Sequence, residues 1–125
     1  MLAAVLLAVL IGQRWNRELS ELPIASLRDK VYELMAQLPE GKVTTYGDLA
    51  AMAGYPYAAR QVGQIAHGGP ISLPWHRLVN AKGGLATGFP DGQESQRQLL
   101  KQDGIICDES YRVIDFDERR WRPKL

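Results

Sequence analysis

Cysteine is nearly absent from this chain. Cys107 stands alone among 125 residues, which excludes an internal disulfide framework and any all-cysteine metal site. Histidine is almost as scarce, with only His67 and His76. A zinc site would then need carboxylates at no recognised ligand spacing, and no metal or other cofactor is expected. An excess of either charge is missing too. Lys plus Arg number 15 against 14 Asp plus Glu, so no global field draws the protein toward nucleic acid or anionic lipid. No apolar run reaches the roughly 20 residues that a bilayer span requires, and there is no internal repeat or low-complexity tract. These absences argue against membrane spans, and a large multidomain enzyme is not expected. What is present is ordinary: 46% hydrophobic and 23% charged residues, too apolar for disorder. The length suits one domain, whose core buries roughly two thirds of the unfolded surface.

The N-terminus forms a separate problem. Met1 to Ile11 is an uninterrupted apolar run followed by Gly12, Gln13 and Arg14. No basic side chain precedes it and no small-x-small cleavage site follows, which is unlike a secretory signal. Residues 1 to 22 are expected to be an appendage, either an extra helix or the product of a start codon placed too far upstream. Residues 23 to 125 are expected to form the working domain, in the cytoplasm.

Helical periodicity begins near Ser26, read as an N-cap with Asp29 three residues on. Leu27, Val31, Leu34, Met35 and Leu38 then recur on one face, and Pro39-Glu40-Gly41 stops the helix. Thr45 is placed to cap a short second helix over Tyr46 to Ala53, ended by Gly54. A third fits Ala58 to His67, with Val62, Ile65 and Ala66 on one side, before Gly68-Gly69-Pro70. Two short helices joined by a Gly-containing turn suggest a helix-turn-helix, a weak signal taken alone. Ile71 to Val79 is short, apolar and proline-interrupted, so it reads as packed loop or edge strand. Ala81 to Gly92 holds four glycines and Pro90, the composition of a flexible, ligand-contacting surface loop. A fourth helix fits Gln93 to Asp103, with Leu99 and Leu100 inward, and Tyr111 to Phe116 reads as a short strand.

Charge is uneven locally. Between Gly41 and Pro90 stand Lys42, Arg60, Arg77 and Lys82 against a single acid, Asp48. A basic patch on a neutral protein suits modest contact with a nucleic-acid backbone; the alternative is a solvated surface with a chance imbalance.

Leu73-Pro74-Trp75-His76-Arg77-Leu78-Val79 resembles the Pro-Cys-His-Arg active-site motif of the O6-alkylguanine-DNA alkyltransferases, with tryptophan in the place of the reactive cysteine. Other segments agree in order and spacing. Gly41-Lys42-Val43-Thr44-Thr45-Tyr46-Gly47-Asp48-Leu49-Ala50 resembles that family's entry into the first motif helix. Ala58-Ala59-Arg60-Gln61-Val62-Gly63 is similar to its recognition helix, and Leu99-Leu100-Lys101-Gln102-Asp103-Gly104 to the helix that closes the domain. The resemblance covers about Leu27 to Gly104. The cysteine-to-tryptophan change marks the alkyltransferase-like proteins, the non-enzymatic branch, and Arg120-Trp121-Arg122-Pro123 is also similar to that branch.

The resemblance implies a mostly α fold, a winged-helix-like helix-turn-helix domain of the alkyltransferase C-terminal type with a short β element. It implies a role for each matching position. Arg60 is the finger that fills the base stack when a nucleotide is extruded; its planar, permanently charged guanidinium can stack and donate at once. The small Ala59 beside it allows close approach to the minor groove, and Gln61 departs from the usual alanine. Tyr46 presses on the phosphate of the flipped nucleotide and Thr45 contacts the backbone, while Lys42 is read as a charge that steers the backbone or is merely solvated. Trp75, Tyr46, Phe89 and Pro74 would line the lesion pocket. His76, Arg77 and Asp103 would keep structural roles, His76 bonding to Asp103. The family asparagine aligns with Gly69, so that brace of the active site is expected to be lost.

Bland readings stand beside these. Arg60 could be a surface arginine paired with Asp48, Tyr46 a core aromatic, and Trp75 a buried core tryptophan. Trp75 nevertheless decides the chemistry. A cysteine there attacks as a thiolate favoured by the neighbouring histidine, whereas indole offers only an N–H donor. No catalytic residue is expected. The resulting expectation is a monomeric, non-enzymatic sensor that binds O6-alkylguanine in duplex DNA, flips the nucleotide and flags it for nucleotide excision repair proteins, without touching a membrane. Two rivals remain: a divergent alkyltransferase enzyme, and a sequence-specific helix-turn-helix regulator.

Overall fold

A computed structural model describes residues 24–123; the apolar run and the rest of the expected appendage lie outside them. Helix α1 (Ile24–Gln37) starts two residues before Ser26, which therefore lies in its first turn and does not cap it. Leu27, Val31, Met35 and Leu38 are buried along one face, with Leu34 at its margin. After the stop at Pro39, β1 (Thr44–Thr45) leads directly into α2 (Tyr46–Met52). The Thr45 hydroxyl accepts the Asp48 amide hydrogen at 3.0 Å, the N-cap expected from sequence. A turn through Gly54, whose φ of +92° a side chain would strain, delivers α3 (Ala59–His67). Helices α1, α2 and α3 pack around Leu49, Ala50, Val62 and Ile65. This is the helix-turn-helix unit.

A single 3₁₀ turn (Trp75–Arg77) then precedes β2 (Leu78–Val79). β2 runs parallel to β1, with Thr44 opposite Leu78 and Thr45 opposite Val79. This two-residue pairing is the short β element. It fixes the Pro-Trp-His-Arg segment beside the start of α2. Helix α4 (Gly92–Gln102) covers a second core of Val43, Val79, Leu85, Leu100, Ile105, Cys107 and Val113.

Two expectations need correction. Tyr111 to Phe116 forms no strand: Tyr111 (φ +58°) and Asp115 (φ +59°) turn the chain at both ends. Only the isolated bridges Gly84–Arg112 and Cys107–Val113 fit between them, and Phe116 opens the short helix α5 (Phe116–Arg119). The glycine-rich segment is also less open than its composition suggests. Gly83, Gly84 and Leu85 are buried, in a turn closed by the Asn80 carboxamide oxygen, which accepts from the Lys82 and Gly84 amides at 2.9 and 2.8 Å. Beyond α5 the tail lies alongside β1. The Val43 amide donates to Arg119 O and the Trp121 amide to Val43 O. Arg120 clasps Asp48 through two hydrogen bonds of 2.6 and 3.0 Å.

Candidate nucleic-acid interface

The concave face between α3, the 3₁₀ turn and the start of α4 holds a cavity of about 760 Å³. Its wall includes Tyr46 from α2, Gly63 and His67 from α3, Trp75, Phe89 and Leu99. Three of the four residues expected to line a pocket are therefore brought together. Pro74 is not among them; it caps the 3₁₀ turn. Tyr46 rests against Gly63, where an added Cβ would lie 3.8 Å from its ring. Burial pushes the Tyr46 phenol above its ordinary pKa of 10.0, so the hydroxyl keeps its proton at neutral pH as a donor.

Trp75 is half-buried and oriented by three contacts. Its Nε1 donates to Pro70 O at 2.8 Å. Its ring meets Tyr32 edge-on, with centroids 6.1 Å apart at 69°. It also lies against Gly69, so closely that an added Cβ there would be 2.6 Å from Cε2. The space that a side chain at position 69 would fill is thus occupied by indole.

Asp103, at the end of α4, gathers two side chains, one of them, His76, from the cavity wall. The His76 Nε2 donates to its Oδ2 at 2.6 Å, and the Arg77 Nε to the same oxygen at 2.9 Å. Because a carboxylate only accepts, this contact puts the histidine proton on Nε2. Arg77, hydrogen-bonded to it, and then His76 hold the Asp103 carboxyl below its ordinary pKa of 3.8. Arg77 also donates to Leu38 O at 3.4 Å, tying α4 to the end of α1.

The residues expected to face DNA are placed variously. Arg60 is exposed on α3, and Asp48, its alternative partner, is taken by Arg120. Ala59 and Gln61 flank it, both half-buried. Thr45 is 2% exposed with its hydroxyl engaged as a cap, so its side chain is turned inward. The Lys42 ammonium donates to Glu118 O at 2.7 Å. Of the four cations in the basic segment, Arg60 and Lys82 are the exposed ones.

One residue escaped the sequence reading. Gln96 of α4 is fully buried. Its carboxamide nitrogen donates to His76 O and Leu78 O, both at 3.0 Å, and its oxygen accepts from the Ala86 amide at 2.9 Å. It stitches the cavity loop to the Pro-Trp-His-Arg segment. Cys107, by contrast, is buried in the second core, and burial pushes its thiol above its ordinary value of 9.0, the reverse of an activated nucleophile.

Comparison with known proteins agrees with this geometry. Residues 26–105 match the family described as 6-O-methylguanine DNA methyltransferase, DNA binding domain, and the chain belongs to that family. Relatives similar over most of their own length include base-flipping and alkyltransferase-like proteins. A DNA base-flipping protein of Escherichia coli (strain K12) is 45% identical over 98 residues, 77% of this chain and 74% of that protein. A crystal structure of Schizosaccharomyces pombe Atl1 in complex with damaged DNA containing O6-carboxymethylguanine superposes with a TM-score of 0.66 at 32% identity, covering 78% of this chain and 95% of that one. A methylated-DNA–protein-cysteine methyltransferase of Salmonella typhimurium is 38% identical over 79 residues, but these make up only 46% of its length.

Proposed function

We propose that this protein is a non-enzymatic sensor of O6-alkylguanine. It approaches duplex DNA through the minor groove with α3, extrudes the modified nucleotide into the cavity and leaves the lesion unaltered. The observation that carries this reading is Trp75. An indole stands in the cavity wall beside the His76–Asp103 pair, at the position where an acceptor thiol would have to be, and its only donor is spent on Pro70 O. Flipping costs a few kcal/mol. Stacking of the extruded base on an aromatic face returns about 1–3 kcal/mol, and Arg60, which is exposed on α3, would fill the vacated stack. Residues 23–125 would carry the activity as a cytoplasmic monomer, and hand-over to excision repair proteins would complete the task.

The test is a titration of O6-methylguanine duplex against its unmodified twin, read by tryptophan fluorescence, with a parallel incubation of methyl-labelled DNA. The expected result is tighter binding of the lesion duplex, with all label retained on DNA. Label on the protein would establish a transferase. Equal affinity for both duplexes with preference for one sequence would establish a regulator.

A further inference from the structure

Glycine at position 69 is not required by backbone conformation, since its φ lies outside the left-handed region. The requirement is steric. An ideal Cβ would stand 2.6 Å from Trp75 Cε2, 2.8 Å from Nε1 and closer still to Cζ2. The ring has little freedom to retreat, because Nε1 is hydrogen-bonded to Pro70 O and Tyr32 meets it edge-on. Gly69 and Trp75 both line the cavity. A side chain at 69 would therefore break the bond to Pro70 and push the indole out of its seat in the wall.

From this contact we propose that Gly69 is a specificity-determining position: it sets where Trp75 stands, and through Trp75 it sets the shape of the cavity that receives the extruded base. Positions 69 and 75 then form one unit. A bulky aromatic at 75 requires glycine at 69, and a side chain at 69 requires a small residue at 75. The functional half of this inference rests on the proposed sensing of O6-alkylguanine; the packing half does not.

A double-mutant cycle of Gly69→Ala, Trp75→Ala and the pair tests both halves in the full chain. Gly69→Ala alone is expected to lower Tm by about 5 °C through overpacking. In the Trp75→Ala background the same substitution should leave Tm unchanged or slightly higher, because alanine restricts the unfolded chain. Should Gly69→Ala alone fail to fold, rescue by Trp75→Ala supports the coupling, and failure of the double variant where Trp75→Ala alone folds overturns it. An equal Tm loss in both backgrounds also overturns it, since the clash would then lie elsewhere. In fluorescence titrations, Gly69→Ala should reduce the preference for O6-methylguanine duplex about tenfold while leaving unmodified duplex within about twofold, and should have no further effect once Trp75 is alanine. Coupled stability with an unchanged lesion preference would overturn the specificity role. If the wild-type protein shows no lesion preference, the functional reading fails instead, and the Tm cycle still reports on the packing.

Discussion

Replacing Gln96 with leucine keeps the volume nearly constant and removes three hydrogen bonds at once. The buried acceptor, Leu78 O, loses its side-chain partner in a place that water does not reach readily, which costs about 1–3 kcal/mol. His76 O and the Ala86 amide are only partly buried, so water can replace the carboxamide and each loss is worth about 0.5–1 kcal/mol. The total is about 3 kcal/mol, or roughly 12 °C in Tm for a domain of this size. Function should suffer beyond stability. The loop from Ala86 onward loses its tether to the Pro-Trp-His-Arg segment, and re-ordering one or two of its residues on binding costs about 1 kcal/mol each. Lesion affinity is expected to fall about tenfold, with little change on unmodified duplex. Gln96→Glu gives a second, independent readout. Its carboxylate can accept from Ala86 but faces two carbonyl oxygens, so its folded pKa must rise above the ordinary value of about 4.3. A carboxyl with a raised folded pKa destabilises most at high pH, and that penalty fades as pH falls toward the unfolded value. The Tm gap between Gln96→Glu and wild type should therefore narrow from pH 8 to pH 5. A Gln96→Leu protein that melts with the wild type, or a Gln96→Glu gap independent of pH, would refute this account of the tether.

Arg60→Ala should weaken binding to lesion duplex more than to unmodified duplex, since a finger fills the stack only after a base has left; equal losses, with the salt slope reduced by about one, would mean a plain phosphate contact. Asp103→Asn leaves Arg77 without its anionic partner, and at about one eighth exposure this should cost about 3 kcal/mol at pH 7. Because the folded pKa of Asp103 lies below the unfolded 3.8, the wild-type advantage is complete above that value and is lost as pH falls through the lower, folded one; a smaller gap at pH 3 than at pH 7 in chemical denaturation checks the direction. Arg120→Ala unclasps the tail from buried Asp48 and should cost a similar amount, seen as a lowered Tm.

What could be read from the sequence was local. The apolar face of α1, the Thr45 cap and the Gly54 turn each depend on residues within four positions of one another, so spacing alone reveals them. The β1–β2 pairing and the tail bridge from Val43 to Arg120 join segments that are 34 and 77 residues apart, and two-residue strands leave no period to detect. Gln96 offered a faint signal. It stands three and four residues before Leu99 and Leu100, at an inward position of α4 where an apolar residue was due. A polar side chain in such a place has to be satisfied internally. The Gly69–Trp75 contact had no signal of its own, because the path between them runs through Pro70 and Pro74 and follows neither helical nor strand spacing. Arg60, Tyr46 and Trp75 became candidates through motif resemblance, and the structure then supplied the cavity that Tyr46 and Trp75 share.

Trp75→Cys returns a thiol to the Pro-Cys-His-Arg motif, beside a His76 that is already hydrogen-bonded to Asp103 at 2.6 Å. A restored nucleophile beside that histidine is the minimum that transferase activity requires. The structure argues on packing grounds that it is not enough. Removing the indole vacates the volume above Gly69 and breaks the hydrogen bond to Pro70 O. No side chain at position 69 refills that space, so the wall that should hold the thiol in line is left with a void. A displacement of about 1 Å costs roughly a hundredfold in rate, and a large-to-small change at a half-buried tryptophan costs part of the about 3–5 kcal/mol lost at a fully buried one. The expected outcome is methyl transfer absent or at trace level, with Tm well below wild type and lesion affinity reduced by the stacking lost, about 1–3 kcal/mol. The assay is stoichiometric transfer of labelled methyl from O6-methylguanine duplex, run beside Trp75→Cys/Gly69→Asn, in which a side chain again occupies the vacated space. Greater transfer by the double variant than by Trp75→Cys alone would locate the deficit in the missing side chain at 69. Complete transfer by Trp75→Cys within minutes would refute the argument, because it would mean that the void has no bearing on where the thiol sits.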